Sequence, residues 1–168
     1  SDLEGLDLMG SAQTGTGKTA AFTLPILHRM AAAPKQPVRQ QFRTLVLTPT
    51  RELAVQVAES FREYGKHQRL SIALVYGGVG AGPQIRALDR GLDILVATPG
   101  RLLDLFGQRR LKFSGTEFLV LDEADRMLDM GFIHDIRGIV TQLPKQRQSL
   151  FFSATFPQTV DGLAREIL

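Results

Sequence analysis

Residues 10–19 read Gly10-Ser11-Ala12-Gln13-Thr14-Gly15-Thr16-Gly17-Lys18-Thr19, a glycine-rich turn that follows an apolar run and leads directly into a helical pattern. Gly15 and Gly17 let backbone N–H groups approach a phosphate closely, and the N-terminus of the following helix adds a favourable dipole. Lys18 supplies a charge that can reach the β- and γ-phosphates, and the Thr19 hydroxyl can ligate Mg²⁺. The stretch therefore predicts a phosphate-binding loop over residues 12–19, although Ala12 replaces the first Gly of the strict pattern.

A second short stretch places two acids at the end of a predicted strand. The apolar run 118–121 is followed directly by Asp122 and Glu123. A nucleoside-triphosphate site needs one carboxylate to hold Mg²⁺ and a neighbouring group to position and deprotonate the attacking water. We assign the first role to Asp122 and the second to Glu123, and we place Lys18 with them among the catalytic residues. An acidic pair after a strand is also typical of a solvated helix start, but the phosphate-binding loop favours the catalytic interpretation.

Short apolar, β-branched runs alternate with helical patterns along the whole chain. Alternation of this kind predicts an α/β fold with a parallel sheet and helices on both faces. Residues 31–41, which contain Pro34 and Pro37, are predicted to form an exposed loop. The predicted strands are 7–11, 44–48, 71–76, 94–98, 117–121 and 148–153, and the predicted helices are 18–30, 51–64, 82–88, 101–106, 135–142 and a last one from 158.

Composition excludes several classes of protein. A chain of 168 residues that is 43% hydrophobic fits one globular domain. It has no cysteine, which excludes disulfide bridges, cysteine-based metal sites and a thiol nucleophile. No apolar run approaches the roughly 20 residues of a membrane span, so we expect a soluble, cytoplasmic protein that does not bind membranes. The 20 Lys and Arg against 17 Asp and Glu give a small positive charge that is compatible with a nucleic-acid partner but common without one.

Six ordered motifs together resemble one family. Asp122-Glu123-Ala124-Asp125 spells DEAD, and the chain resembles the N-terminal RecA-like domain of a DEAD-box ATP-dependent RNA helicase, for which we expect a bacterial source. The resemblance implies a three-layer αβα RecA-like P-loop NTPase domain with a mainly parallel central sheet, with ATP and Mg²⁺ as cofactors. The other matching motifs are residues 12–19, Pro49-Thr50-Arg51-Glu52-Leu53-Ala54, Gly77-Gly78, Thr98-Pro99-Gly100-Arg101 and Ser153-Ala154-Thr155.

Three of these motifs are implied to bind the RNA backbone. Hydroxyls, small residues that expose N–H groups, helix N-termini and arginines hold phosphates, and none of them reads a base, so we expect binding with little dependence on RNA sequence. Ordinary helix capping by the Pro-Thr and Thr-Pro pairs is compatible with this role. The implied RNA-binding residues are Pro49, Thr50, Arg51, Gly77, Gly78, Thr98, Pro99, Gly100 and Arg101.

The resemblance also implies that Asp125, Ser153, Ala154 and Thr155 couple hydrolysis to strand separation. We expect residues 1–168 to be one RecA-like domain excised from a longer parent, in which an adenine-recognition segment precedes it and a second RecA-like domain follows it. The parent is expected to be a monomer, and the isolated domain is expected to be nearly inactive because the second domain supplies arginine fingers.

Three functions stay open on the sequence. The first is an RNA-stimulated ATPase that separates short duplexes, the second is a DNA helicase or translocase, and the third is an ATP-gated RNA clamp that does not unwind. The DEAD spelling together with the motif at residues 49–54 favours RNA over DNA. Unwinders and clamps share these motifs.

Overall fold

The computed structural model describes residues 8–11 and 16–168, with side chains described from Thr19 onward. A six-stranded sheet has the strand order β1-β6-β5-β2-β4-β3, and each of its five pairings is parallel. Strands 42–47, 92–97, 118–121 and 148–153 are covered by helices and buried on both faces, whereas the edge strand 72–75 is only partly buried. The strands are β1 (Leu8–Ser11), β2 (Phe42–Leu47), β3 (Ile72–Val75), β4 (Leu92–Ala97), β5 (Phe118–Leu121) and β6 (Gln148–Ser153).

Seven helices accompany the sheet in the described part of the chain, and one of them was not predicted. Helix α5 has only six residues, too few for a helical period to show against the acidic turn before it. None of the described helices combines the length and the apolar character that crossing a bilayer requires. The helices are α1 (Thr16–Ala32), α2 (Arg51–Tyr64), α3 (Gly82–Asp89), α4 (Pro99–Gly107), α5 (Ala124–Asp129), α6 (Ile133–Gln142) and α7 (Gln158–Ile167).

Alternating side chains of the strands divide the interior into two hydrophobic clusters. Leu45 and Leu47 belong to the cluster beneath α3 to α7, whereas Val46 between them belongs to the cluster beneath α1 and α2. This is the two-residue period of a strand that is covered on both faces. The arrangement confirms the predicted three-layer αβα fold with a parallel central sheet.

Helix α2 shows how the sequence sets one of these layers. The Thr50 hydroxyl accepts a hydrogen bond of 3.2 Å from the Leu53 N–H and so caps the helix. Apolar residues then recur at the spacing of one helical face, and all of them are buried: Ala54, Val57, Ala58 and Phe61. The helix ends where the Gly65 N–H donates to the Phe61 carbonyl oxygen.

The loop before β2 is exposed from residue 33 to residue 39, as predicted, but its end is anchored. Gln40 is buried with a positive φ of 63°, and its N–H donates to the Leu88 carbonyl oxygen at 2.9 Å. Gly91 also has a positive φ, 77°, and a Cβ there would lie 2.5 Å from the Val38 carbonyl oxygen. The backbone of the loop therefore packs directly on Gly91.

This close approach predicts opposite effects for two Gly→Ala substitutions. Gly91→Ala should lower the free energy of unfolding by about 1–3 kcal/mol, because it adds both backbone strain and a collision with Val38. The control, Gly162→Ala, has open space around its Cβ within α7 and should raise stability by roughly 0.5–1 kcal/mol. Urea denaturation of both variants measures the difference, and equal stabilities would contradict the packing of the loop on Gly91.

Candidate functional site

The predicted site residues lie at one edge of the sheet. Parallel strands end at the same edge and are spaced about 4.8 Å apart, so the loops that follow them are neighbours in sheet order. In that order β1, β6 and β5 lead to the phosphate-binding loop, to Ser153 and to Asp122, whereas β2, β4 and β3 lead to the three predicted RNA-binding segments. One half of the edge thus carries the nucleotide motifs and the other half carries the RNA motifs.

The predicted phosphate-binding loop lies between β1 and α1 in the chain. The first turn of α1 contains the backbone of Thr16, Gly17 and Lys18. Thr19 is half-buried in the same helix. The predicted nucleotide-binding residues Ala12, Gln13, Thr14 and Gly15 lie outside the described residues, so their contacts stay predictions.

Asp122 continues the hydrogen bonding between β5 and β2 by one residue, at the edge of the sheet where the strands end. Its N–H donates to the Leu47 carbonyl oxygen at 2.9 Å, and its side chain is buried at 2% exposure. Carboxylate and hydroxyl oxygens are ligands that Mg²⁺ prefers, and Mg²⁺ sites in phosphate chemistry use one or two carboxylates together with substrate phosphates. Among the described side chains, from Thr19 onward, no three His, Asp or Glu residues form a group that could hold a metal ion.

Glu123 stands in a strained backbone conformation. Its φ of 57° and ψ of 52° are left-handed, and it occupies the N-cap position of α5. Its side chain is 12% exposed, and its Oε1 lies 3.9 Å from a guanidinium nitrogen of Arg126. A non-glycine residue in this region costs about 1–3 kcal/mol, and such residues cluster at functional sites. At Glu123 this left-handed conformation turns the chain from β5 directly into α5.

Asp125 connects the acidic segment to the loop after β6. Its Oδ2 accepts hydrogen bonds from the Thr155 hydroxyl at 2.8 Å and from the Thr155 N–H at 3.2 Å. Its own N–H donates to the Ser153 hydroxyl oxygen at 3.1 Å, and that hydroxyl donates to the Thr155 carbonyl oxygen. The structure therefore brings together three of the four residues predicted to couple hydrolysis to strand separation, with the exposed Ala154 between them in the chain.

The same contacts change the acidity of Asp125. Partial burial raises its pKa, but hydrogen bonds from the Thr155 hydroxyl and from the backbone N–H groups of Arg126 and Thr155, together with the adjacent Ser153 hydroxyl, outweigh burial, so the pKa is lowered from its ordinary value. A lowered pKa means that the ionised carboxylate is favoured in the folded state. The ionised carboxylate of Asp125 therefore makes the contact between α5 and the loop after β6.

A cleft of about 290 Å³ lies at the ends of β2, β4 and β3. It brings together seven of the nine predicted RNA-binding residues, and Tyr76 and Phe132 complete its lining. Of the remaining two, Gly78 is exposed with a φ of 81°, and Pro99 is buried in the first turn of α4. The predicted residues that line the cleft are Pro49, Thr50, Arg51, Gly77, Thr98, Gly100 and Arg101.

Two helices begin at this cleft. Thr50 is the N-cap of α2 and Thr98 is the N-cap of α4, where Pro99 follows at the first position. Thr50 caps its helix with its side chain, whereas within the described residues Thr98 makes no side-chain cap hydrogen bond. The positive ends of both helix dipoles lie beside a cleft that already contains arginine, which favours an anion.

The two predicted arginines are held differently. The Arg51 guanidinium carbon lies 5.1 Å from the centroid of the Tyr76 ring, a cation–π contact. Arg101 instead donates to Gln84 Oε1 at 3.1 Å and to the Val79 carbonyl oxygen at 2.7 Å. Sequence reasoning missed Tyr76, Phe132 and Gln84, because each reaches the site through packing between separate elements. Only the position of Tyr76, directly before Gly77, offered a local signal.

The charge on Asp125 predicts a pH-dependent stability. Asp125→Asn should lower the free energy of unfolding by about 1 kcal/mol at neutral pH, the scale of hydrogen bonds to a charged group in a partly exposed place. Because folding lowers the pKa of Asp125, the carboxylate stabilises the fold above about pH 3.9 and this contribution is lost as the pH falls further.

The difference between the unmodified chain and Asp125→Asn should therefore be constant from pH 8 to pH 5 and shrink towards pH 3 in urea denaturation. Asp129→Asn, an exposed substitution at the other end of α5, serves as the matched control. A difference that is the same at pH 3 and pH 7 would contradict a contribution from the carboxylate charge.

Comparison with known proteins places the chain in a family. A family model described as DEAD/DEAH box helicase matches residues 2–163. The chain is similar to DEAD-box ATP-dependent RNA helicase 30 of Arabidopsis thaliana, to which it is 48% identical over 166 residues, or 99% of this chain. The match covers 28% of that relative's length. A bacterial source for this chain stays a prediction. The family match and the motifs at the sheet edge together show that the chain belongs to the DEAD/DEAH box helicase family.

Proposed function

We propose that this chain is the ATP-binding RecA-like domain of an ATP-dependent RNA helicase, which couples hydrolysis of Mg-ATP to RNA binding and local separation of short duplexes. One observation carries the proposal. At a single edge of the parallel sheet, the end of β1 that leads to the predicted phosphate-binding loop and Asp122 occupy one half, and the cleft with two arginines occupies the other half. The relative's printed name, an ATP-dependent RNA helicase, supports the same function.

In the nucleotide half, each residue has a proposed role. The backbone of residues 12–19 and the Lys18 ammonium bind the phosphates, because N–H groups at a helix N-terminus and a nearby cation complement their charge. Thr19 and Asp122 would hold Mg²⁺, which supplies charge neutralisation at the phosphate oxygens when it is bound. Asp122 suits this role because it is fixed by its bond to Leu47.

Glu123 is the proposed general base. It follows the proposed metal ligand by one residue, at the left-handed turn between β5 and α5. A carboxylate there can orient the attacking water and accept its proton. Hydrolysis changes the charge beside Asp122 and Glu123, and the contact of Asp125 with Thr155 gives that change a route to the loop after β6.

In the RNA half, the proposed contacts are with phosphates and sugar hydroxyls. The helix N-termini at Thr50 and Thr98, the backbone at Gly77 and Gly78, and the guanidinium groups suit phosphate, and a 2′-hydroxyl would distinguish RNA from DNA. Helix N-termini and backbone N–H groups, which make up most of these proposed contacts, carry no information about base sequence. We therefore propose binding that depends little on sequence.

Groups outside this domain would contribute to hydrolysis in the parent protein. We propose a second RecA-like domain of the same chain, whose arginines balance transition-state charge across a cleft, a contribution of about 10³–10⁵ in rate. Residues 1–168 alone would then hydrolyse ATP slowly. An adenine-recognition segment ahead of this domain, a monomeric parent and a cytoplasmic location stay predictions.

Two substitutions in the parent protein separate catalysis from nucleotide binding. Glu123→Gln should retain ATP affinity and lose turnover by about 10²–10⁴-fold, the usual contribution of a general base. Lys18→Ala should instead weaken ATP binding, because the ammonium contacts phosphates in the ground state. Steady-state ATPase and nucleotide titration measure both, and full turnover by Glu123→Gln would contradict the assignment of the base.

Strand displacement on a short RNA duplex by the same parent protein tests the function itself. ATP-dependent displacement is expected. RNA-stimulated hydrolysis without displacement would instead indicate an ATP-gated clamp, and activity on DNA duplexes alone would indicate a DNA helicase.

RNA affinity should be driven by the backbone. The dissociation constant for single-stranded RNA of one length should rise steeply with salt and vary little between sequences. Gly77→Ala should weaken RNA binding about tenfold, because its Cβ has open space in the free chain but would lie where a phosphate approaches the backbone. Gly162→Ala on α7 is the control, and a strong sequence preference that persists at high salt would contradict this binding mode.

A further inference from the structure

Gln84 lies behind the cleft rather than in its lining. It belongs to the first turn of α3 and is 7% exposed. Both ends of its amide are used: Nε2 donates to the Tyr76 carbonyl oxygen at 3.1 Å, and Oε1 accepts from Arg101 at 3.1 Å. Gln84 therefore connects the end of β3 with the first turn of α4, without contact with the cleft itself.

The Arg101 guanidinium connects Gln84 to the loop after β3. Its other terminal nitrogen donates to the Val79 carbonyl oxygen at 2.7 Å. Residues 77–80 are exposed and three of the four are glycines, so their backbone has many alternative conformations unless contacts select one. The two hydrogen bonds that Arg101 donates, to Gln84 and to Val79, select one conformation of this loop relative to α3.

Tyr76 extends the same set of contacts to the other arginine. Gln84 fixes the carbonyl group of Tyr76, and the ring of Tyr76 carries the Arg51 guanidinium. The buried amide of Gln84 thus contacts both Arg101 and Tyr76, the residue whose ring carries Arg51. Both arginines line the cleft, whereas Gln84 does not.

We propose that Gln84 is a positioning residue of the RNA cleft, which holds Arg101 and the glycine-rich loop so that the guanidinium is presented to an RNA phosphate. A guanidinium has five N–H donors in a fixed plane, so the bonds to Gln84 and Val79 use part of its capacity and set the direction of the rest. The inference rests on the proposed function, because it names a further residue on which RNA binding depends.

A thermodynamic cycle on the 168-residue chain tests this role. Gln84→Met removes both polar contacts at similar length, and Arg101→Met removes the guanidinium. Each variant and the double variant are titrated with fluorescently labelled single-stranded RNA at several salt concentrations. Gln84→Met should weaken binding about tenfold and lower the slope of log affinity against log salt by about 0.7, the value for one phosphate contact on a single strand.

The expected signature of positioning is non-additivity. Arg101→Met should cost about tenfold in the unmodified chain and almost nothing in Gln84→Met, because misplaced arginine no longer contacts the phosphate. In Gln84→Glu, whose carboxylate still accepts from Arg101 but can no longer donate to Tyr76, substitution of Arg101 should still weaken RNA binding, which separates the bond to Arg101 from the bond to Tyr76. Gln142→Met, an exposed substitution at the far end of α6 from Phe132, should leave affinity and salt slope unchanged.

Stability is measured by urea denaturation for every variant, and Gln84→Ala replaces Gln84→Met if the latter does not fold. Unchanged RNA affinity in a folded Gln84→Met, or an Arg101→Met effect that is the same in both backgrounds, would overturn the positioning role and leave the proposed function standing. Absence of any salt-dependent RNA binding by the unmodified chain would overturn both.

Discussion

Parallel hydrogen bonding between all six strands is the constraint on which the rest of the structure depends. It requires that every strand end at the same edge of the sheet, so residues far apart in the chain become neighbours there. The bond from the Asp122 N–H to the Leu47 carbonyl oxygen continues this pairing one residue past β5, to the last residue of β2. It lies where the nucleotide half of the edge meets the RNA half, so the two halves share a rigid boundary.

The order of strands then determines which chemistry each half contains. β6 lies between β1 and β5, which places the end of β6 beside both the end of β1 and the acidic segment after β5. Its contacts with Asp125 follow from that position. β4 lies between β2 and β3, so the first turn of α4 is flanked by the other two segments predicted to bind RNA, and the three of them enclose one cleft.

The sequence predicted the sheet closely because its strands are continuous apolar runs, and each observed strand begins and ends within two residues of its prediction. The site residues that follow strands directly, such as Asp122 and Thr98, were predictable for the same reason. Helix α5 was missed because six residues show no period. Gln84 and Phe132 were missed because their places depend on how α3 and α6 pack, and no local pattern encodes that. The partners of Arg101 depend on a loop that contains Gly78 at a φ of 81°, which likewise leaves no signature in the sequence around Arg101.

The left-handed backbone at Glu123 creates a conflict between stability and the proposed role of its carboxylate. Glycine adopts this conformation without a steric penalty, so Gly at position 123 would release strain of the order of 1 kcal/mol, but it has no carboxylate. Directed evolution that selects only for heat resistance would therefore favour Gly at this position and would remove the carboxylate proposed above as the general base. Engineering for higher thermal stability should therefore keep Glu123 and introduce stabilising substitutions on surfaces distant from the sheet edge.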